Sequence, residues 1–394
     1  MHIKIVLTYA ILSIPFFNCY AKEVWITILV HGNISIKPFL SYKNIRNLMF
    51  DAVDTTEYAH GADAIRTDRF FYQVQQMQDL GLLPINKSSC KKGDACAAFT
   101  KIFDDLITYT KKDEENYYYT FGWSGLMSHS KRLKEASYFY EQLVQLVESY
   151  KEKNICPKIR LIGYSHGANV CLNIAEAHKQ DIEKKLDSID QVILLGMPVQ
   201  TENAHLVESN LFKKVYHFYS TADNMQRIDF FSFKRFFSKK RFRNINSDNL
   251  TQIAVSLIYN NQDFSPGHTE LWFFGWTAFN YRKEFPLYPF SLVHLLPILL
   301  NSIEQHEPAD HLVLKIYPEE ERLTLSPAKN KKRKRYKSIK NYRFISREKY
   351  AELTEKALSY SPESYTMEDE NEHIKLALCQ GKSNYQDSKL SKVL

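Results

Sequence analysis

A serine becomes a useful nucleophile when the fold holds its hydroxyl clear of the backbone, near a proton acceptor and beside donors for negative charge. The stretch from Ile159 to Cys171, IRLIGYSHGANVC, has the residue types and spacing for this. Ile159, Leu161 and Ile162 form a short apolar run that predicts a buried strand. Gly163-Tyr164-Ser165-His166-Gly167 follows at once, and Ala168, Val170, Cys171, Ile174, Ala175 and His178 then recur at helical spacing. Strand, tight turn and helix, with serine at the centre of Gly-x-Ser-x-Gly, make a nucleophile elbow. The serine sits on a strained turn, and side chains two residues to either side would collide with the neighbouring strand or helix, hence the glycines. The turn lifts Ser165 Oγ out of the sheet. It also sets the backbone N–H of His166 at a helix start, where donors are unpaired and the dipole favours negative charge, so His166 supplies half of an oxyanion hole. Only 12 of 394 residues are glycine, which makes a chance pair flanking one serine less expected.

The elements that must position this serine are legible around it. Val24 to Val30, VWITILV, predicts a central strand and runs into His31-Gly32-Asn33; His31 itself is read as structural. Phe70 to Leu80 predicts a helix stopped by Gly81, and Ala97 to Tyr109 a second helix. Tyr117 to Phe121 reads as a strand, and Leu133, Ala136, Tyr140, Leu143, Val144 and Val147 mark the next helix. Gln191 to Pro198 and Lys214 to Ser220 predict two further strands, Thr251 to Tyr259 the last strong one, and His311 to Pro318 an edge strand. Alternating strands and helices imply an α/β fold, a mostly parallel central sheet with helices on both faces.

In such sheets active-site groups come from loops at the C-terminal ends of strands. Asp223, in Thr221-Ala222-Asp223-Asn224, follows the second strand past the elbow and is the candidate acid; an Asx-turn is its structural alternative. His268, in Ser265-Pro266-Gly267-His268, leaves the last strong strand toward the same edge and is the candidate base. His294, in the apolar stretch Ser291 to Leu296, is the alternative base.

With these residues in place, the chain resembles the α/β-hydrolase superfamily, and within it the lipase and esterase branch. The likeness is carried by Gly-Tyr-Ser-His-Gly-Ala-Asn-Val, by His31-Gly32, and by the chain order Ser165, Asp223, His268. It covers roughly residues 22 to 320. It implies an α/β-hydrolase fold, a Ser-His-Asp triad, a second oxyanion donor at the Asn33 N–H, an acyl-enzyme intermediate and no cofactor or metal. The expected function is an exported serine hydrolase cleaving carboxylic esters, with lipid or fatty-acyl esters as the substrate class. The alternative is a hydrolase-like protein without turnover that binds a membrane or a protein partner.

The ends bear on location. His2, Lys4, the apolar run Ile5 to Phe17 and Cys19-Tyr20-Ala21 predict a signal peptide over residues 1–21, too short for a comfortable span, and export to the periplasm or beyond. Cys90 and Cys96 are placed for a small disulfide in an oxidising compartment, and Cys171 is read as core. Asn33, Asn86 and Asn249 begin glycosylation acceptor triplets. Residues 22–326 form the expected catalytic domain. Within it, Gln226 to Arg243 interleaves six phenylalanines with basic residues and reads as a lid, an interfacial insertion toward an anionic membrane surface, or a helix packed on the sheet. Lys329 to Lys340 holds eight basic residues and no acidic one, and residues 327–394 are expected to be a charged, disordered tail. The net charge of +7 is within reach of that run alone, and a secretory start argues against nucleic acid as a partner. No glycine-rich phosphate loop, metal-ligand cluster or internal repeat occurs in the sequence.

Overall fold

The computed structural model describes residues 23–34, 46–47, 50–54, 56–77, 79–89, 91–225, 238–245, 247–274, 284–306, 308–328 and 339–390. The signal segment 1–21, residues 226–237 of the aromatic-basic stretch, residues 329–338 of the basic run and Cys90 lie outside the described residues.

The apolar, β-branched runs of the sequence become one mixed sheet of 11 strands, mostly parallel at its centre. Its members are β1 (Glu23–Val30), β2 (Gly81–Pro84), β3 (Glu114–Gly122), β4 (Lys158–Tyr164), β5 (Gln191–Leu195), β6 (Val215–Tyr219), β7 (Leu250–Tyr259), β8 (Gln262–Phe264), β9 (His311–Tyr317), β10 (Arg322–Pro327) and β11 (Lys340–Arg343). The order across the sheet is β11-β10-β9-β7-β6-β5-β4-β1-β3-β2, with β8 paired to β7. Strands β3, β1, β4, β5, β6, β7 and β9 run parallel, and β2, β8, β10 and β11 pair antiparallel. Register aligns the ends that matter: Val30 lies opposite Gly163, Gly163 opposite Leu194, and Leu194 opposite His217. The loops leaving β1, β4, β5 and β6 therefore emerge side by side.

Each face has its own core. Ile26, Ile28, Val30, Leu161, Val192 and Leu194 point to one side, under α3 (His129–Lys151) and α4 (His166–Gln180). Leu29, Ile162, Ile193, Leu195 and Phe218 point to the other, under α2 (Ala95–Tyr109), α5 (Leu296–Glu304) and α6 (Arg347–Ser359), while α1 (Glu57–Thr67), in the segment between β1 and β2, belongs to a third, smaller core. Period-two alternation in the strands thus feeds helices on both faces. The ends of these helices are fixed locally. Asp94 accepts from Ala97 N at 2.9 Å to cap α2, and Ser128 accepts from Lys131 N at 3.1 Å to cap α3, where the Asp51 carboxylate also takes His129 N and Ser130 N. No helix of the described residues is long and apolar enough to cross a membrane.

Three expectations need correction. Phe70 to Leu80 is no α-helix. Asp68 accepts from Phe70 N at 2.9 Å and opens a 3-10 turn, Arg69–Gln73, while Gly81, at φ +92°, begins strand β2 instead of ending a helix. His311–Tyr317 is no edge strand, because β10 and β11 continue the sheet beyond it. The third concerns residues 327–394, expected as a disordered tail. Beyond the basic run they supply β11, α6 and α7 (Met367–Leu390). Leu353 and Ala357, one helical turn apart, are fully buried in the main core.

Helix α7 packs on α1. Ala377 is buried there with Ile374 and Leu378 against it, in a small core shared with Ile34, Tyr58, Ala62 and Ile65. His373 Nδ1 lies 2.6 Å from Asp68 Oδ2, and its ring stacks on Phe70 at 4.0 Å between centroids. Two glycines let the helices cross closely, since a Cβ on Gly381 would sit 2.5 Å from Gly61 Cα. Gly381→Ala should therefore destabilise the protein by about 1–3 kcal/mol, despite alanine's better helix propensity, because a methyl must be forced into backbone contact. A thermal midpoint equal to or above that of the wild type would show that the helices separate without cost.

Candidate active site

Ser165 follows the last residue of β4 and precedes α4 with φ 51° and ψ −127°, a conformation that costs a non-glycine residue about 1–3 kcal/mol. The neighbours hold it there. Ser165 N donates to Leu195 O at 2.9 Å, and Ala168 N donates to Ser165 O at 3.1 Å. The flanking glycines are needed for contact as well as for the turn. A Cβ on Gly163 would lie 2.6 Å from Ala168 Cα, and one on Gly167 would lie 2.1 Å from His31 O. The elbow predicted by spacing is thus present. His166 is the first residue of α4, so its N–H faces out of the helix end beside Ser165.

The exit of β1 lies against the serine. A Cβ on Gly32 would be 3.1 Å from Ser165 Cβ. His31 is fully buried and acts as a brace, as the sequence suggested. Its Nε2 accepts from Trp123 N at 3.3 Å, its Nδ1–H donates to Gly32 O at 2.7 Å, and its carbonyl accepts from Trp123 Nε1 at 2.7 Å. Burial pushes the His31 imidazole down to about 4, so it is neutral at ordinary pH and its two nitrogens keep these opposite roles. Next along, Ile34 N donates to Gly125 O at 2.8 Å, and Tyr58 Oη donates to Ile34 O at 3.2 Å. Asn33 is pinned between these anchors, next to Gly32, which lies against Ser165.

Asp223 and His268 meet although 45 residues separate them. Asp223 follows β6, is fully buried, and accepts from His268 Nδ1 at 2.8 Å through Oδ2. Its Oδ1 accepts from Met225 N at 3.1 Å, so it makes the Asx-turn as well as the histidine contact. His268 is delivered by the β7–β8 hairpin, which turns at Asn260 and Asn261, both at positive φ, the primed geometry that matches strand twist. A Thr221–Ser265 hydroxyl pair at 2.9 Å ties the two loops together. A carboxylate on Nδ1–H leaves Nε2 as the acceptor, the tautomer a general base requires.

One residue of this cluster carried little sequence signal. Gly196, where β5 ends, has φ +59°, and a Cβ there would lie 3.1 Å from Asp223 Oδ2 and 3.2 Å from His268 Nδ1. Its only mark in sequence is a glycine directly after Val-Ile-Leu-Leu in a glycine-poor chain.

His294 does not join the cluster. It is fully buried with its Nδ1 3.0 Å from Ser291 Oγ, and its ring meets Phe274 at 4.1 Å and Phe99 at 5.4 Å. Burial pushes it down to about 3. At the described end of the aromatic-basic stretch Phe242 packs inward, while Lys239, Arg241 and Arg243 are exposed. Phe242 is buried against His217, Lys239 exchanges backbone hydrogen bonds with Val199, and Lys240 Nζ donates to Thr221 O at 2.5 Å. Cys96 is buried in the first turn of α2, and Cys171 is buried beneath the elbow, as its place in the sequence predicted. Asn249 Nδ2 is committed to the carbonyls of Val207 and Phe212, so that acceptor triplet faces inward. Among the described residues no group of three or more His, Cys, Asp or Glu is placed to hold a metal ion.

No protein-family model matches this chain, and no curated protein matches its sequence.

Buried neutral histidines, His31 and His294 among them, also make stability depend on acid. Their folded pKa values lie below the ordinary 6.5, so their contribution is fully present above pH 6.5 and is lost as pH falls toward 4 for His31 and 3 for His294. At about 1.4 kcal/mol per unit, His31 is worth on the order of 3 kcal/mol and His294 on the order of 5 kcal/mol. Thermal midpoints should fall on acidification from pH 7 to 4, and less steeply in His294→Phe than in the wild type. Equal slopes would remove His294 from the groups responsible.

Proposed function

We propose that the chain is a serine hydrolase of the α/β-hydrolase type, cleaving carboxylic esters through Ser165, His268 and Asp223. The observation that carries this is a strained Ser165 on a strand-to-helix turn, with a carboxylate-held histidine on the loops of the neighbouring strand ends. His268 Nε2 takes the proton of Ser165 Oγ as the oxygen attacks the ester carbonyl carbon. Asp223 holds the imidazole and stabilises its charged form. The tetrahedral oxyanion is received by the N–H groups of His166 and Asn33, worth about 3–4 kcal/mol per donor by precedent. Collapse breaks the ester C–O bond, and His268 returns the proton to the departing alcohol. Water, deprotonated by the same histidine, then releases the acid from Ser165. The triad needs no cofactor for this.

Lipid or fatty-acyl esters are the substrate class proposed, with export as the setting. Support comes from the apolar and aromatic-basic character of the sequence around the site, including residues 226–243. The elbow alone would serve other acyl groups.

Labelling by a fluorophosphonate probe tests the chemistry. The wild type should label, Ser165→Ala should not, His268→Ala should label at least a hundredfold more slowly, and His294→Ala should label at the wild-type rate if it folds. An unlabelled wild type, or labelling that survives Ser165→Ala, would overturn the assignment. A series of p-nitrophenyl esters tests the substrate class, which is lost if short soluble acyl chains are preferred.

A further inference from the structure

A base fixed only through Nδ1 can still swing about that hydrogen bond, and the direction of Nε2 decides whether it meets the serine. His268 sits on an excursion from the sheet, so something else must set its main chain and its ring plane. Tyr164, the last residue of β4 and the immediate neighbour of Ser165, touches both. Its hydroxyl donates to the carbonyl of His268 at 3.2 Å. Its ring lies 4.8 Å from the imidazole between centroids, tilted by 37°. The same ring stacks on Trp272 at 5.3 Å and 7°, four residues beyond the base, and meets Phe273 at 6.2 Å. Tyr164 is buried, and its edge is what a Cβ on Gly32 would strike, at 2.9 Å from Cδ1.

We infer that Tyr164 is the positioning residue for the base, locking the His268 loop onto the nucleophile strand by one hydrogen bond and a ring stack; this rests on the serine-hydrolase reading above. The backbone bond sets where the His268 main chain starts, the Tyr164 face limits the imidazole's rotation, and Asp223 sets the tautomer. Catalytic groups must be held to a fraction of an ångström, and a side chain adjacent to the nucleophile transfers the sheet's rigidity to the loop. A Gly-x-Ser-x-Gly elbow leaves its second position open, and in this chain that position carries the tether.

The test uses the full-length protein, the fluorophosphonate probe and a p-nitrophenyl ester. Tyr164→Phe keeps the ring and removes only the bond to the His268 carbonyl. It should slow labelling and kcat about fivefold, the scale of one neutral hydrogen bond, with KM and the thermal midpoint little changed. The same substitution in a His268→Ala background should have no effect on the residual labelling rate. Trp272→Phe, which trims the stack from the other side, should repeat that pattern by a second route. A Tyr164→Phe rate equal to wild type, or a fivefold loss that persists without His268, would overturn the inference, the latter by assigning Tyr164 to the Gly32 side or to the fold. Failure of the underlying reading shows separately, as a wild type that does not label at Ser165 at all.

Discussion

At Gly167 the first turn of α4 comes so close to the exit of β1 that no side chain fits between them. A methyl group there would lie 2.1 Å from the His31 carbonyl oxygen, well inside van der Waals contact. This approach is the constraint on which the site depends. It presses the helix N-terminus against the loop that carries Gly32 and Asn33, and so joins two distant parts of the chain beside Ser165. His31 must then be held equally firmly, which explains why a buried imidazole, an indole and a glycine carbonyl are all spent on bracing it.

The same edge of the sheet is held by different devices at different points. Ser165 is fixed by backbone strain, sustained because glycines on both sides remove the clashes that would open the turn. Asp223 is fixed by burial and by its own Asx-turn, so that the carboxylate is already aimed when His268 arrives. His268 is the furthest from regular structure and relies on side chains. This ordering follows from the sheet. Strand ends in register fix short loops well, whereas a residue delivered by a hairpin and a return loop needs contacts of its own.

Much of this was legible in sequence because the signals were local. A strand, a glycine-flanked serine and a helix fall within a few residues of each other, and Asp223 and His268 each follow an apolar run closely enough to be assigned to the sheet edge. What could not be read depended on distant partners. Gly196 looks like any strand-ending glycine until Asp223 and His268 are packed against it. The role of Tyr164 depends on a loop more than a hundred residues away. Residues 340–390 were obscured for another reason. Dense charge in the preceding run, and in Glu368-Asp369-Glu370, outweighed the sparse apolar positions Leu353, Ala357, Ile374 and Ala377 that dock on surfaces made elsewhere. A helix with few buried residues is stable when another element supplies the rest of its core, and composition carries no record of that.

The α1–α7 crossing has a consequence for how the molecule is made. Strands β1, β3, β4, β5 and β6, with the helices between them, form a contiguous stretch of synthesis and can pair in order as they leave the ribosome. The small core around Ile34 and Tyr58 cannot be closed then, because Ala377 and Leu378 belong to the last helix described. A nascent chain therefore carries the strained Ser165 turn well before the packing beside Asn33 is finished. Closure of that corner waits on one of the longest-range contacts in the fold.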